Sequence, residues 1–225
     1  MISVLTLTYK RHDLLEECIQ SFLEQDRGDC ELVIINDDPS VQYEMDQTYE
    51  NIQIYNYTAR FSCIGSKLRE GFNKVNFPWI YRLDDDDLLN RGALDVLSLT
   101  AEQHPEFDLW RSSEVEYFNN NVYQGRGSSV NNGNMFSSKY ISSIPRWDMF
   151  KAEDTYMVFG LSPNTYTIEQ PTMLYRWGMR TYHISAVDPD TKEGVYSYVD
   201  SISNSESGKA TLVPRFKQDY YGQIT

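Results

Sequence analysis

The apolar positions of this chain change period several times, and each change marks an element. Ile2 to Leu7 is an unbroken β-branched and apolar run, the pattern of a buried strand. From His12 to Gln25 the apolar residues fall at Leu14, Leu15, Cys18, Ile19, Phe22 and Leu23, the spacing of one helix face, with Asp13 as cap or first-turn acid. Asp26 to Asp29, with Gly28, breaks that helix. Glu31 to Asn36 is a second buried run, and it stops at Asp37 and Asp38. Strand, helix and strand in this order make a βαβ unit, which implies parallel strands and a right-handed crossover.

Ser40 to Glu50 is polar and reads as irregular, Ile52 to Tyr55 as a third strand, and Gly65 to Val75 as a short helix. Pro78 precedes a short apolar and aromatic run, Trp79 to Leu83, that ends abruptly in Asp84-Asp85-Asp86-Asp87. Leu88 to Gln103 has the period of one amphipathic helix, closed by His104-Pro105. The second half alternates instead. Phe107 to Trp110, Glu114 to Tyr117 and Val122-Tyr123, with Asn119 to Asn121 as a turn, predict an antiparallel hairpin. Gly125 to Asn134 is rich in Gly, Ser and Asn and is expected to be a mobile loop beside the site. Ser137 to Ile144 reads as a short helix, Trp147 to Leu161 as a helix starting near Glu153-Asp154, and Thr165 to Arg176 as a strand. From Ser185 onward polar residues dominate and the pattern fades.

Composition narrows the class. A net charge of −13 argues against a broad basic surface for nucleic acid, although it leaves room for a local basic groove. Cys18, Cys30 and Cys63 are irregularly spaced and odd in number, which suggests free buried thiols in a reducing compartment. No run reaches the length of a membrane span and the N-terminus lacks a signal-peptide layout, so a cytoplasmic protein is expected.

The acidic tetrad is the chemical signal. Four adjacent carboxylates repel one another unless something cationic sits between them. Hard divalent cations take oxygen ligands, and Mg²⁺ is commonly held by one or two carboxylates together with substrate phosphates. Strand-end placement puts the tetrad where open α/β sheets bind ligands. A solvated turn capping the next helix, with Asp87 near its N-terminus, accounts for the same residues.

The order of motifs resembles the inverting GT-A glycosyltransferases of family 2. Ile2 to Arg11 resembles their opening strand and loop, and Asp37-Asp38-Pro39-Ser40 their Asp-Asp-Gly-Ser turn. Leu83 to Asp87 resembles the Leu-Asp-x-Asp-Asp metal motif, Ala152-Glu153-Asp154 the Glu-Asp pair, and Tyr175-Arg176 with His183-Ile184-Ser185 the closing element. The resemblance implies a Rossmann-like α/β/α sandwich with a mostly parallel central sheet and a small antiparallel acceptor-side element. It would place the transferase domain at residues 1–185, with a nucleotide-sugar half at 1–104, an acceptor half at 105–185, and a C-terminal extension at 186–225.

It also implies roles. Thr8, Tyr9, Arg11 and Asp37 would line the nucleotide pocket, with Tyr9 on the base. Lys67 or Arg69 would meet the diphosphate, since the usual Ala-Arg-Asn is replaced here by Lys67 to Gly71. Asp86 would ligate Mn²⁺ or Mg²⁺, Asp84 would contact ribose or metal, Asp85 or Asp87 would assist, and His183 is a candidate third ligand. Asp154 would be the general base, with Glu153, Trp147 and Arg176 on the acceptor side. The donor would be a nucleotide sugar, a UDP-sugar first, and the acceptor a glycan, glycolipid, protein or modified DNA base. A nucleotidyltransferase would usually carry a Gly-rich phosphate loop after the first strand, and Thr8 to Arg11 has no glycine. A non-catalytic acidic binding module would explain the tetrad but not the Glu153-Asp154 pair.

Overall fold

A computed structural model describes residues 1–178, 193–194, 197 and 207–224. The chain runs β1 (Ile2–Thr8), α1 (His12–Leu23), β2 (Glu31–Asn36), β3 (Val41–Met45), β4 (Ile52–Asn56), α2 (Ile64–Phe72) and β5 (Trp79–Arg82). It continues through β6 (Leu88–Leu89), α3 (Ala93–Gln103), β7 (Leu109–Ser112), β8 (Glu114–Asn119), β9 (Val122–Ser128), β10 (Asn134–Ser137) and α4 (Ser138–Ser143). The short helix α5 (Glu153–Thr155) runs into a π-helical turn, Tyr156–Gly160, before β11 (Thr165–Ile168), β12 (Met173–Trp177) and β13 (Gly208–Leu212).

Seven strands form the central sheet in the order β11-β7-β10-β5-β1-β2-β4. All of its pairings are parallel except those of β10, which runs antiparallel to both β5 and β7. The continuous apolar runs are explained by cover on both faces. Ile2, Val4, Leu32 and Ile34 pack with Leu15, Ile19 and Phe22 of α1 and Leu94 and Leu97 of α3. Leu5, Leu7, Val33 and Ile35 pack on the other side with Leu68 of α2, Tyr140 and Ile141 of α4, and Met157 of the π turn. A four-stranded sheet, β6-β12-β8-β9, flanks the site, and β3 pairs with β13 in a separate parallel ribbon. This is a layered α/β arrangement around a mostly parallel central sheet.

Four local expectations are corrected. Leu88 to Gln103 is not one helix: Leu88–Leu89 pairs with β12, and Gly92, at φ +68°, forms a left-handed break that a right-handed helix cannot carry. Gly125 to Asn134 is not one loop, because β9 extends through Ser128 and β10 starts at Asn134, which leaves residues 129–133 as the connection. Thr165 to Arg176 is two strands separated around Pro171. Ser40 to Glu50 contains β3, whose partner β13 lies far along the chain and out of reach of any local pattern.

Candidate active site

Parallel β1, β2 and β5 end at one edge of the sheet, and the acids sit just beyond them. At β1 and β2 a buried pair closes the floor. Lys67, projecting from α2, donates from Nζ to Asp37 Oδ1 at 2.5 Å and to the Thr8 carbonyl at 2.6 Å. The backbone N–H of Phe61 donates to the other Asp37 oxygen at 3.1 Å. Burial pushes the Lys67 ammonium below its ordinary pKa against the pull of Asp37. Gly65, near the start of α2, permits this seat: a Cβ there would lie 2.6 Å from the Trp147 carbonyl oxygen. Tyr9 carries the Arg60 guanidinium over its ring, 4.1 Å from the centroid.

Past β5 the tetrad folds into a turn, closed by the Asp87 N–H donating to the Asp84 carbonyl at 3.1 Å. The turn sorts the four side chains. Asp84, Asp86 and Asp87 each bring a carboxylate oxygen within 4.8 Å of the others. Asp85 instead turns inward onto Arg11, whose guanidinium also reaches Asp86 Oδ2 at 2.8 Å. Asn132 donates to Asp84 Oδ2 at 2.8 Å and to Asp87 Oδ2 at 2.6 Å. Burial raises the Asp85 carboxyl to about 6 despite Arg11, and it also raises Asp87 well above the ordinary carboxylate value, with Asp86 and Asp84 adding repulsion. An all-oxygen trio of mutually repelling carboxylates fits a hard divalent cation and would be a poor site for a soft one.

The opposite wall is the segment 150–155. Ala152 sits at φ +55°, in the left-handed region that a Cβ disfavours, and it directs the next two residues into the cleft. Glu153 is buried and accepts from Arg82 at 3.1 Å, while Arg82 also pairs with Asp84 Oδ1 at 2.7 Å. One guanidinium therefore joins the metal-type acids to the Glu-Asp pair. Burial lifts the Glu153 carboxyl to about 7 against the pull of Arg82. Asp154 is partly exposed and accepts from its neighbour's Thr155 N–H at 2.7 Å. Asn131 donates to Thr155 Oγ1 at 2.9 Å, tying the 129–133 connection to this wall. Between the walls lies a cleft of about 400 Å³, reached by Arg11, Arg82, Asp84, Asp86, Asp154 and Tyr175 among others.

The structure thus brings Arg11, Asp84, Asp86, Glu153 and Asp154 into one cleft, and puts Thr8, Asp37 and Lys67 in contact at the strand ends beside it. It separates others. Arg69 is exposed and lines a different hollow together with Trp147, on the far side of α2. Arg176 is fully buried, paired with Glu17 at 2.6 Å, and has no surface toward an acceptor. His183 lies outside the described residues. Arg82 and Asn132 were not singled out from the sequence. A lone arginine inside the otherwise apolar run Trp79 to Leu83 was the available signal for the first; Asn132 had none beyond its polar segment.

The family model for glycosyl transferase family 2 matches residues 3–151. A search of curated proteins found no match. Among solved structures, S. aureus TarS 1-349 in complex with UDP-GlcNAc superposes with a TM-score of 0.66 at 14% identity, covering 89% of this chain and 65% of that one. The same TarS fragment with UDP gives 0.61 at 14% identity, covering 89% and 70%. A longer S. aureus TarS structure gives 0.61 at 14% identity over 88% of this chain, which spans only 42% of it. At that identity these likenesses bear on the fold. The family match covers well over half the sequence and falls on the strand ends and the acidic turn just described, and by it the chain belongs to glycosyl transferase family 2.

Proposed function

We propose that the chain transfers a sugar from a nucleotide-sugar donor to an acceptor hydroxyl, with inversion at the anomeric carbon and with divalent-metal dependence. The observation that carries this reading is the two-walled cleft, in which Asp84, Asp86 and Asp87 face the Glu153-Asp154 segment across a space about the size of a small ligand. Tyr9, Asp37 and Lys67 serve the nucleoside end, and Arg11 lies where the diphosphate would meet the acids. A UDP-sugar is the first donor to test, since the similar TarS structures hold UDP-GlcNAc and UDP.

Asp84, Asp86 and Asp87 are the residues that would hold Mn²⁺ or Mg²⁺, which when bound neutralises charge on the leaving diphosphate. Asp154 accepts the proton of the acceptor hydroxyl. The freed oxygen bonds to the anomeric carbon on the face opposite the diphosphate, whose C–O bond breaks as the nucleoside diphosphate departs. Glu153, buried against Arg82, holds the segment that presents Asp154. The acceptor belongs to the glycan, glycolipid, protein or modified-base classes named above.

Release of nucleoside diphosphate from a panel of donors, with Mn²⁺ and with EDTA, tests the reading. General-base catalysis contributes about 10²–10⁴-fold, so Asp154→Asn is expected to lose transfer by that factor while donor binding persists. Near-normal turnover by Asp154→Asn would remove it as the base. No metal-dependent nucleotide binding and no turnover of any donor would defeat the transferase reading altogether.

A further inference from the structure

The acidic turn is held from behind by a second set of residues. Arg176 of β12 donates its backbone N–H to Asp87 Oδ1 at 2.8 Å, and its Nε bonds the Asp86 carbonyl. Two of the three clustered acids are thus fixed by one arginine. That arginine is itself gripped from the other side. Its Nη1 donates to Glu17 Oε2 at 2.6 Å and meets the Tyr220 hydroxyl at 3.1 Å. The Tyr220 hydroxyl also lies 3.1 and 3.2 Å from the two Glu17 oxygens. Arg176 and Glu17 have no exposed surface and Tyr220 is 1% exposed.

Glu17 is a charged residue on the buried face of α1, where the helical pattern asks for an apolar one, and it is also the anchor of the C-terminal segment. Its Oε1 accepts the Lys217 N–H at 2.9 Å, and Glu16 accepts the Val213 N–H at 3.0 Å. A buried charge network of this kind is costly to assemble. Its geometry matters most where it ends, at the acids.

We infer that Glu17 and Tyr220 are positioning residues: through Arg176 they set the placement of Asp86 and Asp87, so that the C-terminal segment is part of the apparatus that gives the cleft its affinity for a divalent cation. This rests on the metal-dependent transferase reading. Residues behind metal ligands typically change metal affinity by 10–100-fold when altered. Tyr220→Phe keeps the ring against Phe118 and Phe216 and removes only the hydroxyl. Glu17→Gln keeps the shape and removes the charge.

The test is Mn²⁺ titration of the whole protein, with free Mn²⁺ read by electron paramagnetic resonance and thermal unfolding measured alongside. Tyr221→Phe is the control. It deletes another buried hydroxyl of the same segment, one that bonds the Leu89 carbonyl at 2.6 Å and not Arg176. The expected result is Mn²⁺ binding weakened roughly 10-fold by Tyr220→Phe and by Glu17→Gln, with Tyr221→Phe within twofold of wild type whatever its melting temperature. Wild-type Mn²⁺ binding with Tyr220→Phe and Glu17→Gln both within twofold of it overturns the inference alone. Equal weakening by Tyr221→Phe also overturns it, since that is the mark of general loosening. A wild-type protein that binds no Mn²⁺ overturns the metal reading, and the inference falls with it.

Discussion

Replacing Lys67 by methionine removes the cation from the buried pair at the strand ends. Its ammonium makes two short bonds, to Asp37 at 2.5 Å and to the Thr8 carbonyl at 2.6 Å, from a side chain 7% exposed. Hydrogen bonds to charged groups are worth about 1.5–3 kcal/mol each, and removing one partner of a buried ion pair costs about 3–5 kcal/mol because the other charge is left behind. The two routes agree on roughly 3–5 kcal/mol. In a domain of this size each kcal/mol moves the melting temperature about 2–4 °C, so a fall of roughly 6–20 °C is expected. Urea unfolding at neutral pH measures the free energy directly. The double variant Lys67→Met with Asp37→Asn removes both charges while keeping an acceptor for the Phe61 N–H, and it is expected to recover at least half of the loss. A single variant within about 1 kcal/mol of wild type would refute the buried-pair argument. So would a double variant whose loss equals the sum of the two singles, because a coupled pair cannot be additive.

Glu153 carries a pH signature. Its carboxyl is raised by burial from an ordinary 4.5 to about 7, so the folded state holds a proton that the unfolded chain has released. Stability from this group is therefore fully present below 4.5 and declines as pH rises through 7, by on the order of 3 kcal/mol. Asp85 and Asp87 are raised in the same direction and add to the slope; Glu153→Gln is expected to reduce it, measured as melting temperature between pH 5 and 7.5, and an unchanged slope would contradict the assignment. Gly133, at φ +67°, closes the connection that carries Asn132, and a Cβ there would lie 2.5 Å from the Met173 sulfur. Gly133→Ala is expected to cost about 1–2 kcal/mol from the backbone alone and to weaken Mn²⁺ binding by displacing Asn132; a variant as stable as wild type in urea would show that the turn relaxes freely.

The C-terminal residues show how a weak local pattern acquires structure. Gly208–Leu212 alternates poorly and reads as tail, yet it adds a strand to β3, and among the described residues neither segment has a strand partner closer in sequence. The same reason hides Arg176: the resemblance of its Tyr-Arg pair to the closing element implies an acceptor-side residue, whereas in the fold it is sealed between Glu17 and Tyr220.

What the sequence determined by itself is whatever rests on short-range pattern. The apolar runs at Ile2 to Leu7 and Glu31 to Asn36, the helical spacing from His12, and the abrupt end of Trp79 to Leu83 in four acids are enough to set a parallel α/β sheet with carboxylates at its ligand-binding edge. The identity of the acids was legible; their division of labour was not. Only the tertiary structure decided that Asp85 turns inward to Arg11 while Asp84, Asp86 and Asp87 converge. It alone placed Lys67 on Asp37 and left Arg69 outside. It alone set Arg82 between Asp84 and Glu153. Adjacent side chains in a turn diverge according to which distant groups face them, and those groups come from Arg11 ahead of α1, Asn132 in the 129–133 connection and Arg176 of β12, segments that meet only when the chain is folded.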